Sequence, residues 1–434
     1  MSDKKIKIID SVMGSGKSTY AINYINDNID ENFIIVVPTK SEQQRYKKAL
    51  DRAVFLPNLD DCADRLLQSF NWAVEDGKTI VTTHKLLECW DSTSITEIKK
   101  RDYTLILDEV IDVVMPISIH KNDFELLEST GLIQLESVPD KEGLHKIKAV
   151  QGKEYEGKLK HFLEQVRHDN VFQVNDKFHV WLASAEKLQA FDDVFVLTYM
   201  FNGQQLKGWL EVYDIPYILH SIAEGQLVSY QKSSGLQFKN LITVNEDKAL
   251  NAPYSRYGSL SVSDYEKSKP AKISKLRNGI RSFLRSHSGT DARLNLVTTF
   301  KSHETVLLRE PFLFCVAGVK RPKLQEMTAE DKAERYCFSP YNTKATNLYR
   351  HKAAVAYPVN IFPRPEIEHF FKRHLSGHDS TTFKDLYALS TMIQFIWRSR
   401  IRDGLPIDVY VPSKRMRGLL QDWLNDDLLS AELT

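Results

Sequence analysis

Residues 14 to 18, Gly-Ser-Gly-Lys-Ser, lie between the apolar run "KIKII" and a helix-like run, "STYAINYINDN". Strand, glycine-rich turn and helix is the geometry that aims successive backbone N–H groups at a phosphate. Gly14 and Gly16 let the backbone curl tightly and approach the oxygens closely. Lys17 can meet the outer phosphates as a point charge, and the Ser18 hydroxyl can ligate magnesium. Ser15 and Thr19 complete the candidate nucleotide-binding set. The usual spacing is G-x-x-x-x-G-K-[ST], and Ser11 stands where its first glycine would be. A magnesium-nucleotide site also needs a carboxylate for the metal and a base to orient water. "RDYTLILDEVID" (101 to 112) offers both at the end of an apolar strand. Asp108 would hold magnesium through water, and Glu109 would polarise the attacking water.

These groups must be positioned by an α/β core. Thr104 to Leu107 reads as a central strand of a parallel sheet, whose carboxyl end is where ligands bind in open sheets. "NFIIVVPTK" (32 to 40) and "GKTIVTTHKLL" (77 to 87) read as two more strands. They end in Pro38-Thr39 and Thr82-Thr83-His84, which suit a phosphodiester backbone and equally suit the start of a helix. Residues 113 to 180 exceed a simple connection and read as an inserted subdomain. Further on, "KISKLRNGIRSFLRSH" is an amphipathic helix with Ile273, Leu276, Ile280 and Leu284 inward. Lys272, Lys275, Arg281 and Arg285 form its basic side.

Near the C-terminus, "TTFKDLYALSTMIQFIWRSRIRDG" (381 to 404) reads as one helix, with Thr382 and Asp385 as a capping box and Gly404 as its stop. Leu386, Leu389, Ile393 and Ile396 form its buried face. Gln394, Arg398 and Arg402 follow four apart on a separate stripe, while Arg400 turns towards the buried face. Two guanidiniums and an amide on one stripe form a clamp suited to a γ-phosphate.

Composition sets wide limits. The 434 residues suffice for two domains, and 42% hydrophobic with 26% charged residues suits a globular core. Fifty-eight basic and 57 acidic residues nearly cancel, which gives no support to a protein that merely coats nucleic acid. No run is long enough to span a membrane, and the start has no secretion-signal pattern. Cys62, Cys89, Cys315 and Cys337 lack metal or disulfide-framework spacing and read as reduced thiols of a cytoplasmic protein.

Read in order, the segments around Lys17, Thr39, Thr83 and Asp108 resemble motifs I, Ia, Ib and II of superfamily 2 helicases, the DExx-box branch. "FVLTYMFNGQ" (195 to 204) and "VWLASAE" (180 to 186) both suit motif III, and the sequence does not choose between them. "ARLNLVTTFKSHETVLL" (292 to 308) resembles motif IV, with Thr298 and Lys301. "YNTKATNLYRHKAAVAYPVNIF" (341 to 362) resembles motif V, with Thr346 and Asn347 in the turn. The helix bearing Gln394 and Arg398 is similar to motif VI, Q-x-x-G-R-x-x-R. It departs from that form at Trp397, in place of glycine, and at Arg402, one position late.

The resemblance implies two RecA-like P-loop domains, residues 1–235 with the insertion and 236–434, with ATP and Mg2+ between them. It implies an ATP-dependent DNA helicase or translocase, phage-encoded in type, working in replication or recombination. Single-stranded, forked or branched DNA would be its partner, with replication proteins as further candidates, in the host cytoplasm. The ATPase of a DNA-packaging terminase and a P-loop small-molecule kinase are the alternatives.

Overall fold

The structure is a computed structural model and describes residues 6–57, 63–152, 155–167, 170–232, 234–288, 291–308, 326–343 and 347–427. The chain divides into two compact units. The first comprises residues 1–10, 16–230 and 363–380, and the second residues 11–15, 231–362 and 381–434.

The first unit is built on an eight-stranded sheet. Its strands are β1 (Ile6–Asp10), β2 (Asn32–Val37), β3 (Val54–Phe55), β4 (Thr79–Thr83) and β5 (Tyr103–Asp108). After an insertion carrying β6 to β10 come β11 (Asp193–Thr198), β12 (Tyr217–Ala223) and β13 (Gln226–Ser229). The spatial order is β13-β12-β1-β11-β5-β2-β4-β3, parallel throughout except for the β12–β13 hairpin at one edge. Every residue of β5 is buried, as expected of a continuous apolar run covered on both faces. The Lys17–Asp27 helix buries Ala21 and Ile25, one turn apart, against Phe33, Ile35 and Ile106.

The insertion forms its own antiparallel sheet of β6 (Val114–Ile117), β7 (Ile133–Ser137), β8 (Leu144–Ala149), β9 (Val171–Val174) and β10 (Phe178–Leu182), in the order β6-β10-β9-β8-β7. It reaches two residues past 180. Phe124 and Leu127 of one helix and Phe162, Leu163 and Val166 of another supply a separate core. Among the described residues no helix is long and apolar enough to cross a membrane.

The second unit holds four parallel strands in the order β14-β17-β16-β15: β14 (Ile242–Val244), β15 (Asn295–Val297), β16 (Ala354–Ala356) and β17 (Ile407–Tyr410). The Pro270–Ser288 helix buries Ile273, Leu276, Ile280 and Leu284 as its periodicity predicts. On its basic side Lys272 pairs with Asp264 at 2.6 Å, and Arg277, outside that set, donates to the Val306 and Leu307 carbonyls. The chain is thus α/β, with parallel sheets flanked by helices.

A single cut at residue 235 misses one element. The Pro365–His374 helix groups with the first unit because its apolar face is buried there. Ile367, Phe370 and Phe371 are buried, His369 stacks on Phe178, and Arg373 pairs with Glu142 at 2.6 Å. Gly208 makes this packing possible, since a Cβ there would lie 2.9 Å from the Phe371 ring.

A buried and a half-buried histidine in this region carry a pH dependence. His179 of β10 lies 4.3 Å from the Phe124 ring, and burial pushes its pKa down to about 4. His374 is also pushed down to about 4, by burial and then by the Lys141 and Arg373 charges. The unfolded chain protonates these rings near pH 6.5 and the folded chain does not, so it binds more protons across that interval. Stability should therefore fall as pH drops from about 6.5 towards 4. Denaturant midpoints at pH 7 and pH 5 check this; His179→Phe should flatten the profile, and an unchanged profile in that variant contradicts the assignment.

Candidate nucleotide site

The phosphate-loop turn begins where β1 ends at Asp10. Gly14 and Gly16 adopt φ values of 86° and 91°, in the left-handed region that only glycine enters without strain. Gly16 is the N-cap of the Lys17–Asp27 helix and gives it no side-chain cap; the first turn contains no acidic residue. The leading N–H groups of this helix thus meet neither a side-chain cap nor an acidic residue of their own first turn. Ser15 Oγ is buried without a hydrogen-bond partner among the described residues. Each of these features suits a bound phosphate.

The metal half of the site is assembled around Asp108, at the end of β5 and 8% exposed. The Ser18 hydroxyl donates to its two oxygens at 3.2 and 3.0 Å. Two hard oxygens about 3 Å apart have the spacing of adjacent magnesium ligands, each about 2.1 Å from the ion. Oδ2 also accepts from Arg45 Nη2 at 3.2 Å and from the Tyr46 hydroxyl at 2.9 Å.

Arg45 and Tyr46 lie on the Lys40–Ala49 helix and escape sequence reasoning. Burial pushes the Tyr46 phenol well above its ordinary pKa, and the Asp108 carboxylate adds to this, so the phenol keeps its proton and remains a donor. For Arg45, burial lowers the pKa, but Glu42 and Asp108 more than offset that, so its charge is secure. The available signal was amphipathicity: Gln43 and Tyr46 are the buried residues of an otherwise polar helix.

Glu109 follows directly, with φ at 73°. Its N–H donates to the Leu197 carbonyl at 3.1 Å, which fixes the left-handed turn that ends the strand. Such a backbone is strained for a non-glycine residue and is held by its surroundings.

β11 lies between β1 and β5, so "FVLTYMFNGQ" follows a strand flanked by the phosphate-loop and acidic strands. The Phe201 N–H donates to Asp10 Oδ2 at 3.0 Å, tying that turn to the end of β1. "VWLASAE" instead continues β10 of the antiparallel insertion. Pairing separates two segments that the sequence could not.

The expected helix over 381–404 is corrected. It spans Ser380–Ile396, so Thr382 lies inside its first turn rather than at its cap, and Asp385 accepts from Arg415 at 2.8 Å. It ends because the Ser399 hydroxyl takes the Ile396 carbonyl at 2.6 Å and the Arg400 N–H leaves for the Lys352 carbonyl. Gly404 closes a separate 3-10 turn, Arg400–Asp403. The stripe of Gln394, Arg398 and Arg402 is accordingly broken. Gln394 and Arg402 are exposed, whereas Arg398 is 6% exposed and donates to the carbonyls of Pro340 (2.8 Å), Tyr341 (3.2 Å) and Thr343. Arg400 is half-buried, not turned into the core. Trp397, where glycine was expected, packs edge-on against Phe238 and Trp423.

The candidate nucleic-acid contacts divide. Thr39 caps the Lys40–Ala49 helix, accepting from the Glu42 N–H at 3.3 Å. Thr82, His84 and Thr298 are buried and cannot present side chains at the surface. Pro38 and Thr83 are half-buried, Lys301 and Asn347 are exposed, and Thr346 lies outside the described residues.

Residues 236–424 match a family description, the YonV C-terminal Rossmann-like domain. The SPbeta prophage-derived uncharacterized protein YonV of Bacillus subtilis (strain 168) is 30% identical over 440 residues, 98% of this chain and 99% of that protein. Among solved structures, one called XPD_APO has a TM-score of 0.54 at 12% identity, covering 96% of this chain and 95% of its own. A second, XPD_Helicase, has a TM-score of 0.50 at 11% identity, covering 98% and 95%. These likenesses show a helicase-like fold.

Replacing Arg398 with alanine should remove the one charged donor that three carbonyls now share, although the Pro340 carbonyl keeps the Thr343 N–H and hydroxyl. Bonds to a charged group contribute about 1.5–3 kcal/mol each, so the loss should be at least about 3 kcal/mol. Lysine at 398 should restore only part of it, because one ammonium cannot copy the guanidinium fork. Denaturant unfolding measures both variants; wild-type stability in Arg398→Ala would contradict the anchoring role.

Proposed function

The chain belongs to the YonV family, and we propose that it is a nucleic-acid-dependent ATPase of the superfamily 2 helicase kind, acting on DNA. The observation that carries this reading is the Ser18–Asp108 contact, which joins the phosphate-loop helix to the acidic strand end. Gly14, Ser15, Gly16 and Thr19 take the phosphates together with Lys17. Ser18 and Asp108 hold magnesium, which when bound neutralises phosphate charge. Glu109 orients the attacking water. Gln394 and Arg402, both exposed, keep the γ-phosphate role that the motif VI resemblance implies, and Arg398 acts as a positioning residue through the Pro340–Thr343 turn. The first unit is then the ATP-binding domain and the second the helicase domain.

Two further supports bear on the biology. The XPD_Helicase likeness supports a motor that moves on nucleic acid. The prophage-derived relative supports a phage origin; DNA replication or recombination is the role proposed with it, and replication proteins are the partners to seek. The direct experiment measures ATP turnover with no polymer, single-stranded DNA, duplex DNA and RNA. Turnover indifferent to every polymer would contradict the reading.

Lys17→Ala should abolish ATP turnover in a variant whose circular dichroism shows it folded. Normal turnover by a clean preparation would remove the assigned site. Glu109→Gln should lower turnover about 10²-fold or more, the usual cost of losing a general base, and still retain Mg-ATP. If nucleotide affinity vanishes with turnover, Glu109 acts on binding instead. Equilibrium binding of a fluorescent ATP analogue beside steady-state turnover separates the two.

A further inference from the structure

The second unit carries a polar cleft of about 670 Å3 that no assigned residue uses. It lies in the segment after β14, where the Val262–Glu266 helix meets the start of the Pro270–Ser288 helix. Tyr265 joins this segment to the carboxyl edge of the sheet: its hydroxyl donates to the Pro358 carbonyl at 2.7 Å, and its ring packs edge-on against Phe300 after β15. The same ring lies 5.1 Å from His303, in the turn that carries Lys301. Ligands of parallel sheets bind along this edge.

The charge in the cleft is one-sided. Arg256, Lys267, Lys269 and Lys272 line it, against one carboxylate, Asp264. That carboxylate is already engaged, accepting from Lys272 at 2.6 Å, Arg256 at 2.8 Å and the Leu260 N–H at 2.8 Å. Lys267 and Lys269 are exposed and form no ion pair among the described residues. Arg256 keeps 75% of its side chain exposed despite its pairing.

Beside the cations stands an aromatic ring. Tyr257 adjoins Arg256 and is 58% exposed. Phe362 lies 5.6 Å behind it, and the Arg415 guanidinium is 5.5 Å from its centroid. Its backbone is fixed by the buried Asn360, whose amide donates to the Tyr257 and Ser259 carbonyls at 2.7 and 3.1 Å. The ring is therefore a supported platform rather than a loose side chain.

We propose that this cleft and Tyr257 form a single-stranded nucleic-acid contact, with Lys267 and Lys269 on successive phosphates and the ring stacked on an unpaired base. Single strands are held by the combination of a cationic groove and an aromatic face. A free phosphate would be better served by converging, buried donors, and a paired base would offer no face to the ring. The proposal rests on the nucleic-acid-dependent ATPase reading and adds to it a site that none of the motif segments contains.

The test is fluorescence anisotropy of the full chain with a labelled oligothymidylate across a salt series, beside ATP turnover. Lys267→Ala/Lys269→Ala should weaken binding about tenfold and reduce the salt slope by roughly 1.4, at about 0.7 per phosphate contact on single strands. Tyr257→Ala should weaken binding at least about fivefold, the lower end of base-stacking losses, and Tyr257→Phe should not. Turnover without DNA should stay at the wild-type rate in all three. Unchanged affinity in the lysine variant, with DNA stimulation intact, overturns this contact and leaves the ATPase reading standing. Equal losses on duplex of the same length overturn its single-strand character. Wild-type protein with neither DNA binding nor DNA stimulation overturns both.

Discussion

One oxygen atom, Oδ2 of Asp108, accepts from Ser18, Arg45 and Tyr46, and the first unit is organised around that convergence. Burying a carboxylate without partners costs far more than a small domain can spare. Three donors, one of them cationic and one a permanently protonated phenol, remove that cost. They also fix the helix after the phosphate loop and the helix after β2 against the end of β5. The neighbouring Glu109 can then hold a strained left-handed backbone, because the strand beneath it is already pinned.

The second unit uses another device for a similar end. Arg398 does not wait at a surface; its guanidinium gathers carbonyls of the Pro340–Thr343 turn, much as a capping residue gathers the end of a helix. Trp397 beside it fills an aromatic cluster with Phe238 and Trp423. Together they set where the chain leaves the Ser380–Ile396 helix. Arg402 consequently sits in a separate turn, at the surface, with a backbone of its own.

Local geometry was legible in the sequence, and tertiary pairing was not. Gly14 to Ser18 and Asp108-Glu109 are short segments whose glycines, charges and apolar flanks determine their own geometry. Arg45 and Tyr46 were hidden because what they touch lies over sixty residues away. β10 and β11 read alike, as apolar runs with polar ends, and only strand pairing assigns one to each sheet. The helix over 381–404 was read too long because its 3.6-residue periodicity continues through Trp397 and Arg398. What stops it is Ser399, which competes for the Ile396 carbonyl, and the Lys352 carbonyl, which takes the next N–H. Thr298 misled for a related reason, since a hydroxyl after a strand looks exposed until neighbouring elements cover it.

The Pro365–His374 helix has a consequence for descent as well as for folding. Phe370 and Phe371, both fully buried, complete the first unit although they are encoded well inside the second half of the chain. Neither half is therefore a self-contained cassette for genetic exchange. A single recombination crossover between residues 231 and 362 would deliver the eight-stranded sheet and its insertion without the helix that covers Gly208 and Phe178. A crossover after residue 380 would keep that helix with its own sheet, whereas one before it needs a partner whose covering helix fits the same groove.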